Sequence, residues 1–227
     1  MSVKLIFYGH SCWEIRAGDT SILIDPFLTG NPLAAVTAEA LTPDYIIVTH
    51  GHGDHVGDAL TITQRSQAIV IAPVEVARYL QRQGCDTLVD LNIGGGEDFP
   101  FGRVKLTPAL HSSSLPDGGY GGNPAGALIT IEGKKIYHAG DTGLFYDMKL
   151  IGEEGIDVAL LPIGDHYTMG PEDALRAVRL IAPKLVIPMH YDTFSVVKQD
   201  PMAFAQRVEA ETGTSCVVLR PGESHSM

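Results

Sequence analysis

Short apolar runs rich in β-branched and aromatic residues recur along the chain, and glycine, proline or acidic residues separate them. Runs of this length and composition are typical of buried strands. Longer segments whose apolar positions recur with a helical period are bounded by proline or glycine. We therefore predict helices at 58–65, 74–83, 171–181 and 201–212, and strands at 3–8, 12–16, 21–25, 45–48, 68–72, 87–91, 103–110, 127–132, 135–139, 158–161, 185–188 and 216–219.

The predicted strands fall into two blocks, and helices join the strands within each block. This order predicts an α/β fold in which two mixed sheets pack face to face and helices cover both outer faces, an αββα sandwich. The length of 227 residues suits one unit of this kind, and no repeat or linker interrupts it. We therefore expect residues 1–227 to form a single domain.

The amino-acid composition argues against nucleic acid and membranes as binding partners. The net charge of −11 argues against nucleic acid, which needs basic patches, and leaves a small anionic substrate open. No apolar run approaches the ~20 residues of a membrane helix, and the first residues lack the apolar core of a signal peptide. Three widely spaced cysteines argue against disulfides and fit a reducing compartment. We expect a cytoplasmic protein that binds a small molecule and no membrane; whether it forms a homo-oligomer is open.

The stretch 49–58, THGHGDHVGD, places three histidines and two aspartates directly after a predicted strand. Neutral imidazole nitrogens and carboxylate oxygens are good zinc ligands, and the glycines let the backbone fold closely around an ion. In an extended chain side chains alternate between faces, so His50, His52 and Asp54 point to one side, while His55 follows a turn. The loop therefore predicts a metal site; the alternative is a histidine-rich surface loop.

Three further ligand-type side chains follow predicted strands: His111, Asp141 and His190. Open α/β sheets collect their ligand sites at the carboxyl ends of strands, so we expect these side chains to complete the site. Any one of them alone is more simply interpreted as a surface or hydrogen-bonded residue. The three together, each at a strand end, favour metal binding.

The order HxHxDH, a later single histidine, the triplet GDT at 140–142 and a last histidine after a strand resembles the metallo-β-lactamase superfamily of metal-dependent hydrolases. The likeness extends over roughly residues 5–220. The stretches YGHSCWEI near the start and LLPIGDHYTMGPEDA at 160–174 resemble the UPF0173 group of small bacterial metal-dependent hydrolases, which is similar to the ascorbate-phosphate lactonases. The resemblance implies the αββα sandwich and a metal site, but one fold hosts many chemistries.

The resemblance also implies a two-metal site. One ion is held by His50, His52 and His111, the second by Asp54, His55 and His190, and Asp141 bridges the two. Zinc is the favoured divalent ion, and manganese, nickel and iron also suit these ligands. Two ions about 3.5–4 Å apart share a water, lower its pKa and hold the resulting hydroxide against an electrophilic carbon or phosphorus.

The implied activity is hydrolysis of a small ester-type substrate, such as a phosphodiester or a lactone, by a metal-bridging hydroxide that Asp54 orients. A non-hydrolytic metal-binding protein with a regulatory or redox role on the same fold is the alternative. The chain is short for the added flavin domain of the redox relatives, which favours hydrolysis.

A leaving group needs a proton donor, and histidine is the usual one near neutral pH. We assign this catalytic role to His166, which lies in a loop after a predicted strand; the alternative is a structural histidine. For His10 and His138 we favour structural histidines bonded to the backbone.

Two loops near His111 complete the prediction. The serines at 112–114 are expected to support His111 by hydrogen bonds. The glycine-rich segment 116–124 is interpreted either as a surface loop or as a lid in which Tyr120 touches the substrate.

Overall fold

The strands form two seven-stranded mixed sheets in the computed structural model, which describes residues 2–227. In spatial order, the N-terminal sheet contains β14 (Ser224–Ser226), β1 (Val3–Gly9), β2 (Cys12–Ala17), β3 (Thr20–Ile24), β4 (Tyr45–Ile47), β5 (Ile69–Pro73) and β6 (Leu88–Leu91). The C-terminal sheet contains β13 (Ser215–Cys216), β12 (Leu185–Met189), β11 (Val158–Pro162), β10 (Lys134–His138), β9 (Ala125–Ile131), β8 (Gly102–Pro108) and β7 (Gly96–Phe99).

The two sheets share one plan. In each, an antiparallel meander is continued by parallel strands, β3 to β6 in one sheet and β10 to β13 in the other. The carboxyl ends of the parallel strands and of the neighbouring hairpins therefore lie along one edge of the sandwich, where ligand sites of α/β folds form.

Helices cover the outer face of each sheet. They are α1 (Gly53–Val56), α2 (Ala59–Ser66), α3 (Val74–Arg82), α4 (Met148–Gly152), α5 (Pro171–Ile181) and α6 (Pro201–Glu211), with 3₁₀ turns at Ala38–Ala40 and Ser195–Val197. Proline occupies the first turn of α5 and α6, and the Asp200 side chain accepts hydrogen bonds from two free amide groups at the start of α6. Within residues 2–227, no helix is long and apolar enough to cross a membrane.

The core lies between the sheets and continues under the helices. Along β1, Leu5 and Phe7 face the opposite sheet, whereas Ile6 and Tyr8 belong to the cluster on the outer face, which also includes residues of α2 and α3, as the alternation of a strand requires. A third cluster, which includes Phe204 of α6, fills the space between the C-terminal sheet and its helices. Each such fully buried apolar side chain contributes about 1.5–3 kcal/mol to stability. The structure thus confirms the predicted αββα sandwich.

Four elements were not predicted. The strand β14 is polar and lies at a sheet edge, where it pairs with β1 through backbone hydrogen bonds. The strand β7 is also polar, and the helices α1 and α4 are only one turn long. The strand predicted at 216–219 is confined to Ser215–Cys216. In all of these segments the hydrophobic period is too short or too weak to mark an element.

Candidate metal centre

The seven ligand-type side chains predicted from the sequence meet at one edge of the sandwich. The loop after β4 supplies His50 and His52, and the single turn of α1, which follows at once, supplies Asp54 and His55. The extended alternation expected for this loop therefore ends at His52. The C-terminal sheet contributes the other three from segments that follow β8, β10 and β12: His111, Asp141 and His190.

Three histidines form the first donor cluster. The ring centroids of His50 and His52 are 4.6 Å apart, and those of His52 and His111 are 5.0 Å apart. One donor nitrogen from each ring lies within 4.8 Å of the others. This set matches the three-histidine ligand group of many zinc sites.

Asp141 lies between this cluster and a second one. Its Oδ2 atom is 3.5 Å from His111 Nε2 on one side, and 3.3 Å from His55 Nε2 and 3.0 Å from His190 Nε2 on the other. Asp54 belongs to the second donor group, together with His55 and His190. A carboxylate in this place is able to contact ions in both clusters.

The residues fit a pair of cations, because several of their donor atoms lack any other partner. His55 Nε2, His190 Nε2 and Asp141 Oδ1 are buried and make no hydrogen bond. Buried polar atoms of proteins are almost always paired, and an ion accounts for several unpaired lone pairs directed into one space. The fit supports His50, His52 and His111 as one ligand set, Asp54, His55 and His190 as the other, and Asp141 between them.

A buried aspartate behind the cluster sets the orientation of two candidate ligands. Asp25 Oδ2 is 2.7 Å from His55 Nδ1 and accepts a 2.7 Å hydrogen bond from the Thr49 hydroxyl. Thr49 Oγ1 in turn is 3.0 Å from His50 Nδ1. With both Nδ1 atoms acting as donors, the Nε2 lone pairs of His50 and His55 point into the centre.

Sequence reasoning missed Asp25, although it is the last residue of a predicted strand. Its side chain is fully buried, and its backbone is left-handed with a φ of +45°. Such a conformation is costly for a residue other than glycine and is concentrated at functional sites. An aspartate at the end of an apolar strand, before a proline, was the available signal.

The charges in the centre suit metal binding. Burial lowers the pKa of His50 well below its ordinary value, and His55 adds to this effect, so that His50 is neutral. For Asp141, burial would raise the pKa, but His190 and His55 outweigh it and hold the pKa well below its usual range. For His55, burial would lower the pKa, but Asp141 and Asp25 hold it well above its ordinary value. Metal binding at His55 therefore requires release of a proton.

His10 lies in the centre, which corrects the prediction of a histidine bonded to the backbone. Its ring nitrogens contact two side chains, with Nδ1 2.9 Å from Thr193 Oγ1 and Nε2 3.3 Å from Asp54 Oδ2. Burial first, and then the neighbouring His190, lower its pKa to about 4, so the imidazole is neutral. The signal in the sequence was its position after β1, at a strand end like the predicted ligands.

His138 behaves as predicted. Its Nε2 is 3.0 Å from the Ser11 carbonyl oxygen, and its Nδ1 accepts a 3.1 Å hydrogen bond from the Gly140 amide. It therefore supports the turn that presents Asp141.

His166 is exposed, and its ring lies edge-on to Tyr167 at a centroid distance of 4.5 Å. Tyr167 lines the cavity above the centre, whereas His166 is not among the residues that line it. The catalytic role of His166 stays a prediction.

The serines after His111 support a different loop from the one expected. Ser113 Oγ accepts a 2.9 Å hydrogen bond from the Gly51 amide and donates a 3.0 Å bond to the Gly121 carbonyl. Ser112 Oγ lies 3.3 Å from His52 Nε2. The serines thus connect the histidine loop to the segment 116–124 instead of bracing His111 itself.

A cavity of about 590 Å³ opens directly over the centre. Its floor consists of ligand-type side chains, and its walls are largely apolar, with Tyr167, Phe194 and Val196. No lysine or arginine lines it among residues 2–227. Tyr120 is exposed and lies in a neighbouring groove of about 460 Å³ that shares His111 with the cavity.

The sandwich and the donor clusters at its edge define a metal-binding protein with the metallo-β-lactamase fold. A model of the beta-lactamase superfamily domain matches residues 20–191. The chain is 51% identical over 221 residues to a UPF0173 metal-dependent hydrolase of Thermus thermophilus, covering 97% of each protein. It is 52% identical over 227 residues to one of Enterococcus faecalis, covering 98% of this chain and 99% of that protein. The chain therefore belongs to the UPF0173 group of metal-dependent hydrolases in the metallo-β-lactamase superfamily.

A solved structure supports the same assignment of the fold. Igni18, described as a novel metallo hydrolase from the archaeon Ignicoccus hospitalis, superposes with a TM-score of 0.91 at 42% identity. The superposition covers 100% of this chain and 99% of that one.

Proposed function

We propose that this protein is a dinuclear metal-dependent hydrolase that cleaves a small ester-type substrate. The observation that carries the proposal is the shared position of Asp141 between two donor clusters, beneath a cavity that is open to solvent. Zinc is the ion we propose for the centre, because the donor set is dominated by imidazole. We also propose that the protein acts in the cytoplasm, since its three cysteines are free and buried.

The two ions, when bound, would supply a water of lowered pKa and polarise the oxygen of the scissile group. The protein's own contribution is orientation. Asp54 lines the cavity. Although burial would raise its pKa, the neighbouring histidines hold that pKa well below the usual range, so Asp54 is a carboxylate at neutral pH. We propose that it accepts a hydrogen bond from the attacking water and directs the oxygen toward the substrate.

Protonation of the leaving group is proposed for the loop that contains His166 and Tyr167. His166 is exposed at the rim, so it would have to turn toward the cavity when substrate binds. Tyr167, which already lines the cavity, is the nearer residue of the pair. Replacing each separately and measuring the pH dependence of kcat would assign the role.

The walls of the cavity indicate the kind of substrate. A carboxyl ester or lactone with an apolar group fits Phe194 and Val196, and no lysine or arginine is present there to neutralise a phosphate. A phosphodiester would depend on the ions alone for charge compensation. We therefore place neutral esters and lactones ahead of phosphodiesters.

The experiment is a hydrolysis assay of the metal-loaded protein on a panel of aryl esters, lactones and phosphodiesters, with His50→Ala as the inactive variant. His225→Ala is the matched control, because His225 lies on β14 and is not part of the centre. We expect turnover in the wild type and in the control, with a loss of at least 10³-fold in His50→Ala, on the order of what catalytic electrostatic groups contribute. No turnover across the panel with the metal fully loaded would favour the regulatory or redox alternative.

A further inference from the structure

We propose that His10 is a further metal ligand, whose Nε2 binds the second ion together with Asp54, His55 and His190. This inference rests on the two-metal centre of the proposed function. It assigns a coordinating role to a residue of the turn between β1 and β2, outside the HxHxDH loop and the three later strand ends.

The first argument is the spacing of the donor atoms. Two donors bound about 2.1 Å from one ion lie about 3.0–3.6 Å apart when the angle between them is about 90–120°. His10 Nε2 and Asp54 Oδ2 are 3.3 Å apart, which equals the separation of His55 Nε2 and Asp141 Oδ2. One donor atom each from His10, Asp54, His55 and His190 falls within 4.8 Å of the others, so a single ion can contact all four.

The second argument is the partner of the other ring nitrogen. His10 Nδ1 is 2.9 Å from the Thr193 hydroxyl oxygen, which lies 3.4 Å from the Tyr191 carbonyl and can donate to it. With Nδ1–H donating to Thr193, Nε2 presents its lone pair to the centre, as expected for a metal-binding histidine. His50 and Thr49 repeat this arrangement in the first cluster.

A hydrogen bond from His10 to Asp54 is the competing explanation of their contact. Charge-assisted N–H···O bonds are about 2.7–2.9 Å long, and the 3.3 Å separation exceeds this range. A donor at Nε2 would also require the Thr193 hydroxyl to donate to Nδ1 and give up its bond to the Tyr191 carbonyl. Both points favour two lone pairs that converge on an ion.

The third argument is how firmly the chain holds His10 in place. The residue is fully buried and has a left-handed backbone, with a φ of +58°. Its carbonyl oxygen accepts a 2.8 Å hydrogen bond from the His190 amide, and the two rings are 3.9 Å apart. Phe27 and Phe194 close over the ring, edge-on at 5.6 and 5.5 Å. Strained backbone and dense packing of this kind are found where a side chain must be held in one position.

The two ions would then have different surroundings. The first has three histidines and the bridging Asp141, whereas the second has three histidines, Asp54 and Asp141. Four protein donors suit tetrahedral zinc, and five suit an ion of higher coordination number, such as manganese, iron or nickel. We therefore expect the second site to differ from the first in metal preference.

Metal binding by His10→Ala tests the inference. Apoprotein is titrated with Zn²⁺ and with Mn²⁺ against a chromophoric chelator, and the bound metal is counted. We expect the Kd of the second ion to rise by more than the 10–100-fold typical of losing an outer partner of a ligand, while the first ion binds as before. His225→Ala is the control with one histidine fewer, and unfolding of each apoprotein in a chelator checks that the variants fold.

His10→Gln separates a ligand from a positioning residue, since its amide can donate to Asp54 but is a poor ligand beside imidazole. Two-metal affinity fully restored in His10→Gln, or unchanged in His10→Ala, would overturn the inference and leave hydrolysis by the wild type untouched. A metal-loaded crystal structure provides the direct measurement, with His10 Nε2 expected about 2.0–2.2 Å from the second ion. A separation beyond 3 Å would also overturn it, whereas absence of turnover in the wild type bears on the proposed function alone.

Discussion

Asp25→Asn should weaken metal binding although Asp25 belongs to neither donor cluster. The carboxylate accepts hydrogen bonds from the Thr49 amide at 2.8 Å and from the Thr49 hydroxyl at 2.7 Å, and His55 Nδ1 lies 2.7 Å from it. An amide of the same shape has one acceptor and one donor group. If its oxygen stays on the Thr49 amide, its NH₂ group faces His55 Nδ1, which must then accept. The proton of the imidazole moves to Nε2, where an ion requires a lone pair.

The size of the effect follows from this change in the tautomer of His55. Loss of an outer hydrogen-bond partner of a metal-bound histidine typically costs 10–100-fold in metal affinity, which is about 1.4–2.8 kcal/mol. Because Thr49 also contacts His50, both donor clusters are affected, and we expect the upper part of that range. In a protein of this size the same free energy lowers the Tm of the metal-loaded form by roughly 3–11 °C.

The assay is competition for Zn²⁺ between the protein and a chromophoric chelator, with wild type and variant measured at the same pH. Asp44→Asn is the matched control, because the exposed Asp44 carboxylate accepts a hydrogen bond from the Ser21 amide and lies apart from the centre. Affinity in Asp25→Asn within threefold of wild type would refute the reasoning, because the tautomer of His55 would then be independent of Asp25.

Three further predictions concern other parts of the molecule. For the two-ion centre proposed above, removal of the metal with a chelator should lower the Tm by roughly 8–16 °C per ion bound at 1,000 times its Kd, since such binding adds about 4 kcal/mol. An unchanged Tm would contradict metal binding by the donor clusters. Glu14→Gln should destabilise the protein by about 1.5–3 kcal/mol at pH 7, because the buried carboxylate accepts hydrogen bonds from Tyr8, Arg16 and Ser21. Although burial would raise the pKa of Glu14, Arg16 and the other donors hold that pKa below its ordinary value. The stabilisation by Glu14 is therefore present above pH 4.5 and is lost as the pH falls through the lower folded-state pKa. A difference in stability between wild type and variant that persists in urea denaturation at acid pH would contradict this. Tyr120→Ala should raise KM for the best panel substrate and change the Tm by no more than about 1–2 °C, roughly what a surface substitution costs, because the ring is exposed. Comparable losses of substrate affinity and of stability would contradict the lid interpretation.

The layers of the fold could be predicted from the sequence because both signals used are local. A few consecutive residues are enough to predict an apolar strand such as 158–161 or a helix that begins with proline, such as Pro171–Ile181. The strand β14 could not be found this way, since its three residues are polar and owe their conformation to the edge of β1. Its pairing depends on a partner more than 200 positions away in the chain.

In the candidate site, too, some residues are marked by the local sequence and others are recognised only in the folded structure. The HxHxDH order marks His50 and His52 directly, and strand ends mark the later candidate ligands. His10 and Asp25 lie in no such motif. Their roles depend on contacts made only in the folded chain, with Asp54 within 3.3 Å of the His10 ring and His55 closer still to the Asp25 carboxylate. The prediction that residues 1–227 form one domain stays a prediction, as does the catalytic role of His166.

The donor groups come from both sheets, so the ions would sit across the seam where the two halves of the sandwich meet. Loss of metal therefore does more than stop chemistry, because it also removes cross-links between the halves and raises the population of opened molecules. Proteases degrade a protein through such opened molecules. In a cell starved of the metal, the amount of this protein should therefore fall along with its activity, because the metal-free chain is degraded faster.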